Sequence, residues 1–530
     1  MMNKATKTSS AEPEPTMSEW PSKAMDQAER DAQDVLDMGH DPVMKRNFSS
    51  WSMFFFSMSV LATWTTFGLG LSSGLNNGGS VAILWGLVLV TFCNLCVAVS
   101  IGEFCSSMPT ALGQAYFVVR LWPTKSGRFL SYTCAWISTF GWWTLSASQN
   151  AFMAQFLLSM KIMFVEDWPY ADRGWVKFLL YIAITVFSSA VLAGAGRKDF
   201  ILPMMNNFVG ISFIAIFFVI SLSLLISVGV RKDLNFQPAS FVFGHWLNNT
   251  GGWNDGVTWF LGLVQSAYGL TAFDSVVHMI EEIPNPRKNI PRVMWLSIVL
   301  GALTGFIFMV VCLFSIQDLE AVLDPPTGLP FVELLVQAMG LQGGAILLSL
   351  FILNGLGQSI TVALAASRLT WGFARDGGFP WSEYFQVVDT KWQVPARAIW
   401  LQGGITGVVG VLFIFSDTVL SAILSLTTIA LTISYGIPIM TLLMAGRDKL
   451  PPGPFRLGAF GPVINWIALL YCVITPVFFF FPDSPNPTLN NMNWAIAVFG
   501  VTMAIALGFW LINGHRTYMH LNETPVDSTQ

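Results

Sequence analysis

The chain has 530 residues, of which 53% are hydrophobic and 11% charged, with 43 Phe, 21 Trp and a formal net charge of −4. That balance is too apolar for an ordinary soluble protein and points to a lipid bilayer as its surroundings, with no nucleic-acid partner.

In chain order, residues 1–50 come first and are polar. They carry Glu12, Glu14, Glu19, Asp26, Glu29, Asp31, Asp34, Asp37 and Asp41 against six basic residues. Such a segment lacks the apolar surface needed to fold alone, so a disordered acidic cytoplasmic tail is expected. A sharper reading makes it a trafficking tail whose Lys4, Lys7 or Lys23 accepts ubiquitin from a ligase. No cleavable signal peptide is expected, because the first apolar run is already a full-length helix.

A spanning helix needs about 20 mostly apolar residues. Twelve stretches qualify, at approximately 52–75, 80–107, 129–160, 175–195, 200–228, 257–280, 293–316, 342–367, 396–415, 418–445, 462–482 and 494–513. With the N-terminus in the cytoplasm, 22 of the 27 Lys and Arg fall inside. Lys161, Arg173, Lys177, Arg231 and Lys232 are left outside. The positive-inside rule therefore predicts a multi-pass protein with both termini cytoplasmic, read as a plasma-membrane protein. Of the glycosylation-type triplets at Asn47, Asn248 and Asn522, this topology leaves Asn248 outside.

Two spans contain helix-weakening sequence. The first reads Trp64-Thr65-Thr66-Phe67-Gly68-Leu69-Gly70, and the sixth reads Tyr268-Gly269-Leu270-Thr271 with Asp274 following. Glycines also serve close helix packing. Paired breaks five helices apart instead predict the two discontinuous helices of an inverted repeat, with a binding site between them. In the first helix the spelling puts the break at Gly68 to Gly70, whereas counting back from Gly78-Gly79 puts it nearer Trp64 to Thr66. An intramembrane carboxylate such as Asp274 is costly and is a functional-site candidate by default.

The Cys93-x-x-Cys96 pair has no second pair or His cluster beside it and reads as structural. The five histidines lack ligand spacing, and His278, near a helix end, reads as interfacial. No phosphate loop, hydrolase elbow or metal motif is present. The chain is thus read as a non-enzyme with no cofactor and no metal.

Residues 267–295 resemble the sixth helix of the amino acid, polyamine and organocation permeases. The matching positions are Tyr268, Ala272, Asp274, Glu281, Glu282, Asn285, Pro286, Ile290 and Pro291. Glu103 to Pro109, with Gly113, Gln114 and Tyr116, is similar to a segment of the fungal choline, GABA and amino-acid branch; Leu112 and Ala115 depart from it. Ser367 to Pro380, SRLTWGFARDGGFP, resembles the same branch most specifically.

The resemblance implies an all-α membrane protein with twelve transmembrane helices. Helices 1–10, in residues 51–445, would form a five-plus-five inverted-repeat core of LeuT type. Helices 11 and 12 would occupy 446–513, and a cytoplasmic tail 514–530. Exposed amides around Thr65, Thr66, Gly68 and Gly70 would hold a substrate carboxylate, and carbonyls around Gly269 and Thr271 an ammonium. Tyr268 would close over the solute. Asp274 would carry or sense a proton, and Glu103, Glu281, Arg368, Arg375 and Asp376 would form the inner gate. Lysine is absent from the fifth helix between Asn206 and Ser227, which removes one proton switch used by bacterial relatives. A sodium site using hydroxyls such as Thr361 is the alternative.

Function then reads as a secondary transporter, expected to be a proton symporter, importing a small amine-bearing solute such as GABA or another amino acid. Choline is the second solute, for which Trp64, Trp142, Trp143 and Tyr268 would form the cage. A nutrient receptor that binds without carrying is the competing class, against which stand tails too short to build a signalling domain.

Overall fold

The computed structural model describes residues 27–519, apart from 45, 166, 172, 197, 390–391, 393, 415–418 and 489–491. The ubiquitin-acceptor lysines, the Asn522 triplet and the end of the C-terminal tail lie outside the described residues. Among the described residues, each of the twelve apolar stretches is mainly helical. Nine helices among the described residues are long and apolar enough to cross a membrane.

The tail contributes α1 (Gln27–Asp37). The first apolar stretch is divided into α2 (Ser50–Leu61), α3 (Thr63–Leu69) and α4 (Leu71–Asn76). Next come α5 (Gly79–Ser107), the short α6 (Gln114–Leu121), α7 (Lys125–Ile162), α8 (Gly174–Ala195) and α9 (Ile201–Val230). A short α10 (Ala239–Gly244) precedes the sixth stretch, which is divided into α11 (Asp255–Gly269) and α12 (Ser275–His278). The second half continues with α13 (Pro286–Ser315), α14 (Leu319–Leu323), α15 (Pro330–Arg375), α16 (Ser382–Phe385), α17 (Ala396–Gly410) and α18 (Val419–Ala445). The last two spans are α19 (Gly461–Phe479) and α20 (Ala495–Phe509). The first and sixth stretches are thus the broken pair of a five-plus-five arrangement, with two helices added after it.

The first stretch is interrupted at Ala62 and again, without a left-handed turn, at Gly70, and in each broken stretch the left-handed turn is made by an alanine. Ala62 has φ 48° and Ala272 has φ 68°, the left-handed region that alanine rarely enters. At Ala62 the amide still bonds to Met58 O, closing α2, and the Ala62 carbonyl already accepts from Thr66 N, opening α3. The amides of Thr63, Trp64 and Thr65 begin a new helix and so have no intrahelical acceptor. In the sixth stretch, residues 270–274 are unwound between α11 and α12.

The first break therefore falls at Ala62, six residues before Gly68 and just ahead of Trp64 to Thr66. The glycines serve close approach. A Cβ on Gly269 would lie 2.4 Å from Phe67 Cε1 and 2.8 Å from Thr66 Oγ1, and one on Gly70 would lie 2.9 Å from Gln265 Cγ. Gly68 faces the Phe331 ring, 3.3 Å from a would-be Cβ. α3 and α11 thus pack closely, each glycine making room for a side chain of the other helix, Phe67 against Gly269 and Gln265 against Gly70.

Residues 27–49 correct the expectation of a wholly disordered tail. The segment still has little core of its own, and it docks instead. Asp31 pairs with Arg46 at 2.8 Å and accepts from Asn285 N at 2.9 Å, Asp34 meets Arg287 at 2.7 Å, and His40 Nε2 lies 3.4 Å from Asp376 Oδ1. The other end of the chain reaches the same place: Met519 N donates to Asp376 O, and Tyr518 Oη lies 2.8 Å from Ser131 Oγ. Both ends therefore share one face of the bundle, called here the terminal face.

Candidate functional site

A cavity of about 710 Å³ enters from the face opposite the termini. Thr66, Gly70, Phe152, Gln265 and Tyr268 are among its lining residues. Tyr268 is 6% exposed, and its hydroxyl lies 2.8 Å from Ser148 Oγ on α7, so the ring bridges the sixth and third spans across the cavity floor. Gln265 Nε2 donates to Phe67 O at 3.0 Å, while its buried Oε1 has no hydrogen-bond partner among the described residues. The cavity thus carries hydroxyls, an amide oxygen and the Phe152 and Tyr268 rings, a mixed surface suited to a small polar solute.

The other expected solute residues are dispersed around this floor. Thr65 Oγ1 donates to Ala62 O at 2.7 Å and lies 3.3 Å from Gln358 Oε1 on α15. Thr271 Oγ1, just past the end of α11, bonds back to Ala267 O in its last turn at 2.7 Å. Gly68 and Gly269 are packing positions, as described above. Thr361 Oγ1 also bonds its own preceding turn, at Gln358 O, 2.9 Å.

No cage forms from the four aromatics. Trp64 is fully buried among Phe213, Phe217, Phe308 and Phe351. Trp142 stands perpendicular to the His278 ring, and Trp143 donates to Thr370 Oγ1 and stacks on Phe379. Tyr268 alone of the four lies at the cavity.

Toward the terminal face the bundle is shut by ion pairs. Glu282 meets Arg368 at 2.5 Å and Glu281 meets Arg375 at 2.7 Å. Arg375 also lies over the Trp371 ring, 4.6 Å from its centroid. Each pair joins the end of the sixth span to the end of α15, so two broken-helix charges are locked to one long helix. Asp376 takes no part in them and faces His40, while Glu103 stands elsewhere again. Arg447 Nη2 is 2.7 Å from both Glu103 oxygens, and Leu457 N donates to Oε1 at 3.0 Å. Glu103 thus ties α5 to the connection between α18 and α19, apart from the expected gate.

Asp274 sits between these two regions, fully buried. It accepts from Gln114 Nε2 at 2.6 Å and from the Tyr435 hydroxyl at 2.7 Å, with His278 Nε2 3.2 Å away. His278 is itself 2% exposed, which corrects its reading as an interfacial residue.

A profile of the amino acid permease family matches residues 48–503. The chain belongs to that family. The permease is 29% identical over 482 residues to the choline transporter of Saccharomyces cerevisiae, covering 91% of this chain and 84% of that one. It is 26% identical to amino-acid permease 2 of Neurospora crassa, covering 91% and 87%, and 26% identical to amino-acid permease BAT1 of Arabidopsis thaliana, covering 91% and 95%. The permease is therefore a multi-pass membrane transporter of amino acids or amines, and not an enzyme.

Sequence reading missed Ser148, Gln265, Gln358 and Tyr435 in the permease. A signal existed for two of them: Ser146-Ala147-Ser148-Gln149-Asn150 and Gln265-Ser266 are polar runs inside otherwise apolar spans. Tyr435 had none, since an isolated tyrosine in a span reads as packing. At the outer triplet, Asn248 Nδ2 donates to Trp253 O and to Asp255 Oδ1, so the nitrogen that glycosylation would modify is already engaged.

Proposed function

We propose that the permease is a proton symporter that imports a small amine-bearing solute, GABA or another amino acid, across the plasma membrane, with the terminal face in the cytoplasm. The observation that carries this reading is the pair of breaks at Ala62 and Ala272, flanking a cavity open to one side while ion pairs shut the other. That asymmetry is the geometry of alternating access. The α3 amides at the N-terminal, positive end of a half-helix would favour a carboxylate. Carbonyls freed at 270–274 would accept from an ammonium, and Tyr268 would close over it.

Choline is the second reading, favoured by the likeness to the choline transporter of Saccharomyces cerevisiae. Dispersal of the tryptophans supports the amino-acid reading, since a quaternary ammonium would want several aromatic faces. Uptake of labelled GABA, choline and a set of amino acids, in cells lacking their own carriers, tests both. Saturable uptake of an amino acid with no choline uptake is the expected outcome. Binding by purified protein with no transport in sealed proteoliposomes under an inward proton gradient would establish the receptor class instead.

A further inference from the structure

Three groups reach the Asp274 carboxylate, and they leave a proton to be accounted for. Gln114 Nε2 donates to Oδ2 and the Tyr435 hydroxyl to Oδ1. The third, His278 Nε2, is 3.2 Å from Oδ2, while the other ring nitrogen, Nδ1, is 3.0 Å from Ala111 O. A carbonyl oxygen only accepts, so Nδ1 carries a hydrogen. A neutral imidazole then has a bare lone pair at Nε2, facing a carboxylate lone pair. The contact requires one further proton, held either on Nε2 as an imidazolium beside a carboxylate or on Oδ2 as an acid donating to a neutral ring. Both forms have zero net charge and constitute one titrating unit. Without the proton, a full negative charge would remain where both side chains are 0% exposed, an arrangement strongly disfavoured away from water.

We propose that Asp274 and His278 together form a single proton-binding site, whose proton is lost to cytoplasmic water when the α5–α6 connection parts from the sixth span and the inner gate opens. Its use in uptake rests on the transporter reading above.

The surroundings fit that role. Ala111 and Gln114 belong to the connection between the second and third spans, and Gly113, with φ 57°, presses this turn onto the sixth. A Cβ at Gly113 would lie 3.0 Å from Val277 Cγ1 and 3.8 Å from His278 Cε1. Trp142 of α7 stands perpendicular to the imidazole, at 5.3 Å between centroids. The other titratable groups facing the pair are Tyr435 from α18 and Cys105 from α5, which lies within electrostatic reach of the carboxylate. Arg368 and Arg375 are committed to Glu282 and Glu281. The imidazole is thus the group placed to balance Asp274. With the inner gate shut and the outer cavity open, the structure corresponds to the proton-loaded form. On inner opening the proton passes to cytoplasmic water, and the pair reloads from the outer side.

The direct test needs no solute. In protein carrying His40, His245, His515 and His520 all as Gln, the one remaining histidine is observed by solid-state NMR with ¹⁵N-labelled imidazole. Hydrogen on Nδ1 and a proton shared between Nε2 and the carboxyl are expected, and Asp274→Asn should turn Nε2 into a bare acceptor. A bare Nδ1, or a spectrum that Asp274→Asn leaves unchanged, would overturn the site. In proteoliposomes His278→Gln should lose accumulation under a proton gradient while solute exchange persists. Combining it with Asp274→Asn should add no further loss, since the two residues hold one proton. A His278→Gln variant that concentrates solute as the wild type does would overturn the coupling role. A wild type that carries no solute, with the NMR signature intact, would remove the transporter reading and leave the proton site standing.

Discussion

The hydroxyls of Tyr268 and Ser148 lie 2.8 Å apart, 120 residues distant in sequence. This contact fastens the sixth span to the third at the cavity floor, beside the break where a solute would sit. Any solute reaching the break must either pass the ring or be covered by it.

Tyr268→Phe removes the tether and keeps the ring. A net hydrogen bond is worth about 0.5–1.5 kcal/mol, so apparent solute affinity should change by roughly two- to tenfold. Tyr268→Ala removes both and should depress transport much further, with surface expression retained. Quantified surface labelling beside initial uptake rates separates the two effects. Loss of protein from the membrane with normal uptake per surviving molecule would make Tyr268 a packing residue.

The bundle was legible in the sequence because spanning helices declare themselves by length and apolarity; the charges of the EExxNP and SRLTWGFARD segments stood out as needing partners, but which joined which was not written there. The first break had two candidate positions, and the one nearer Trp64 to Thr66 lies next to the turn at Ala62. The glycine spelling pointed to Gly68 to Gly70, yet Gly68 and Gly269 supply room for Phe331 and Phe67, and the left-handed turns are made by Ala62 and Ala272. Tertiary packing holds alanine where its own preference would not take it. The convergence of Gln114, Tyr435 and His278 on Asp274 brings in residues as far as 161 positions from it, and no local pattern records it. Docking of residues 27–49 was equally hidden, because its anchors are scattered charges with only Val35, Met38 and Phe48 as buried apolar side chains among them.

Glu282→Gln should weaken the closed inner gate. Arg368 and Glu282 side chains are 2% and 8% exposed, and Arg368 Nη1 already lacks a hydrogen-bond partner among the described residues. Removing one member of a buried pair strands the other, at a cost of about 3–5 kcal/mol. Melting temperature should fall, and a cysteine placed near Ser367 should react faster with a reagent applied from the cytoplasmic side. Exchanging the two residues, as Glu282→Arg with Arg368→Glu, should recover part of the loss. Unchanged melting and unchanged labelling would show that the pair does not hold the gate.

Acidification should loosen the docked N-terminal segment. Burial, reinforced by the Arg375 charge, pushes His40 down from 6.5 to about 3, and burial pushes Asp376 up from 3.8 to about 6. The sign for His40 is that of a depressed group: its contribution is present above 6.5 and declines as pH falls toward 3. Asp376 acts in the opposite sense, favouring docking as pH falls from 6 to 3.8, but its shift is the smaller. The two offset each other between 6 and 3.8, so hydrogen exchange in residues 27–49 should quicken as pH drops from 6.5 to about 6 and again below 3.8, after correction for the intrinsic rate. His40→Asn should flatten or reverse that dependence. Equal pH profiles in both proteins would mean that the contact with Asp376 does not control docking.

Asp274→Asn tests the energy source. Asparagine keeps a polar side chain within reach of Gln114 and Tyr435 but carries no titratable proton, so the variant should fail to accumulate solute against a gradient. Exchange of internal for external solute should persist, because rocking of the loaded carrier moves no net proton. Wild-type uptake should rise with an inward proton gradient and remain indifferent to replacing sodium by potassium. Sodium-dependent, pH-indifferent uptake would overturn proton coupling and turn attention to Thr361 and the carbonyls freed before Ala62. An Asp274→Asn variant that still concentrates solute would show that the proton is carried elsewhere.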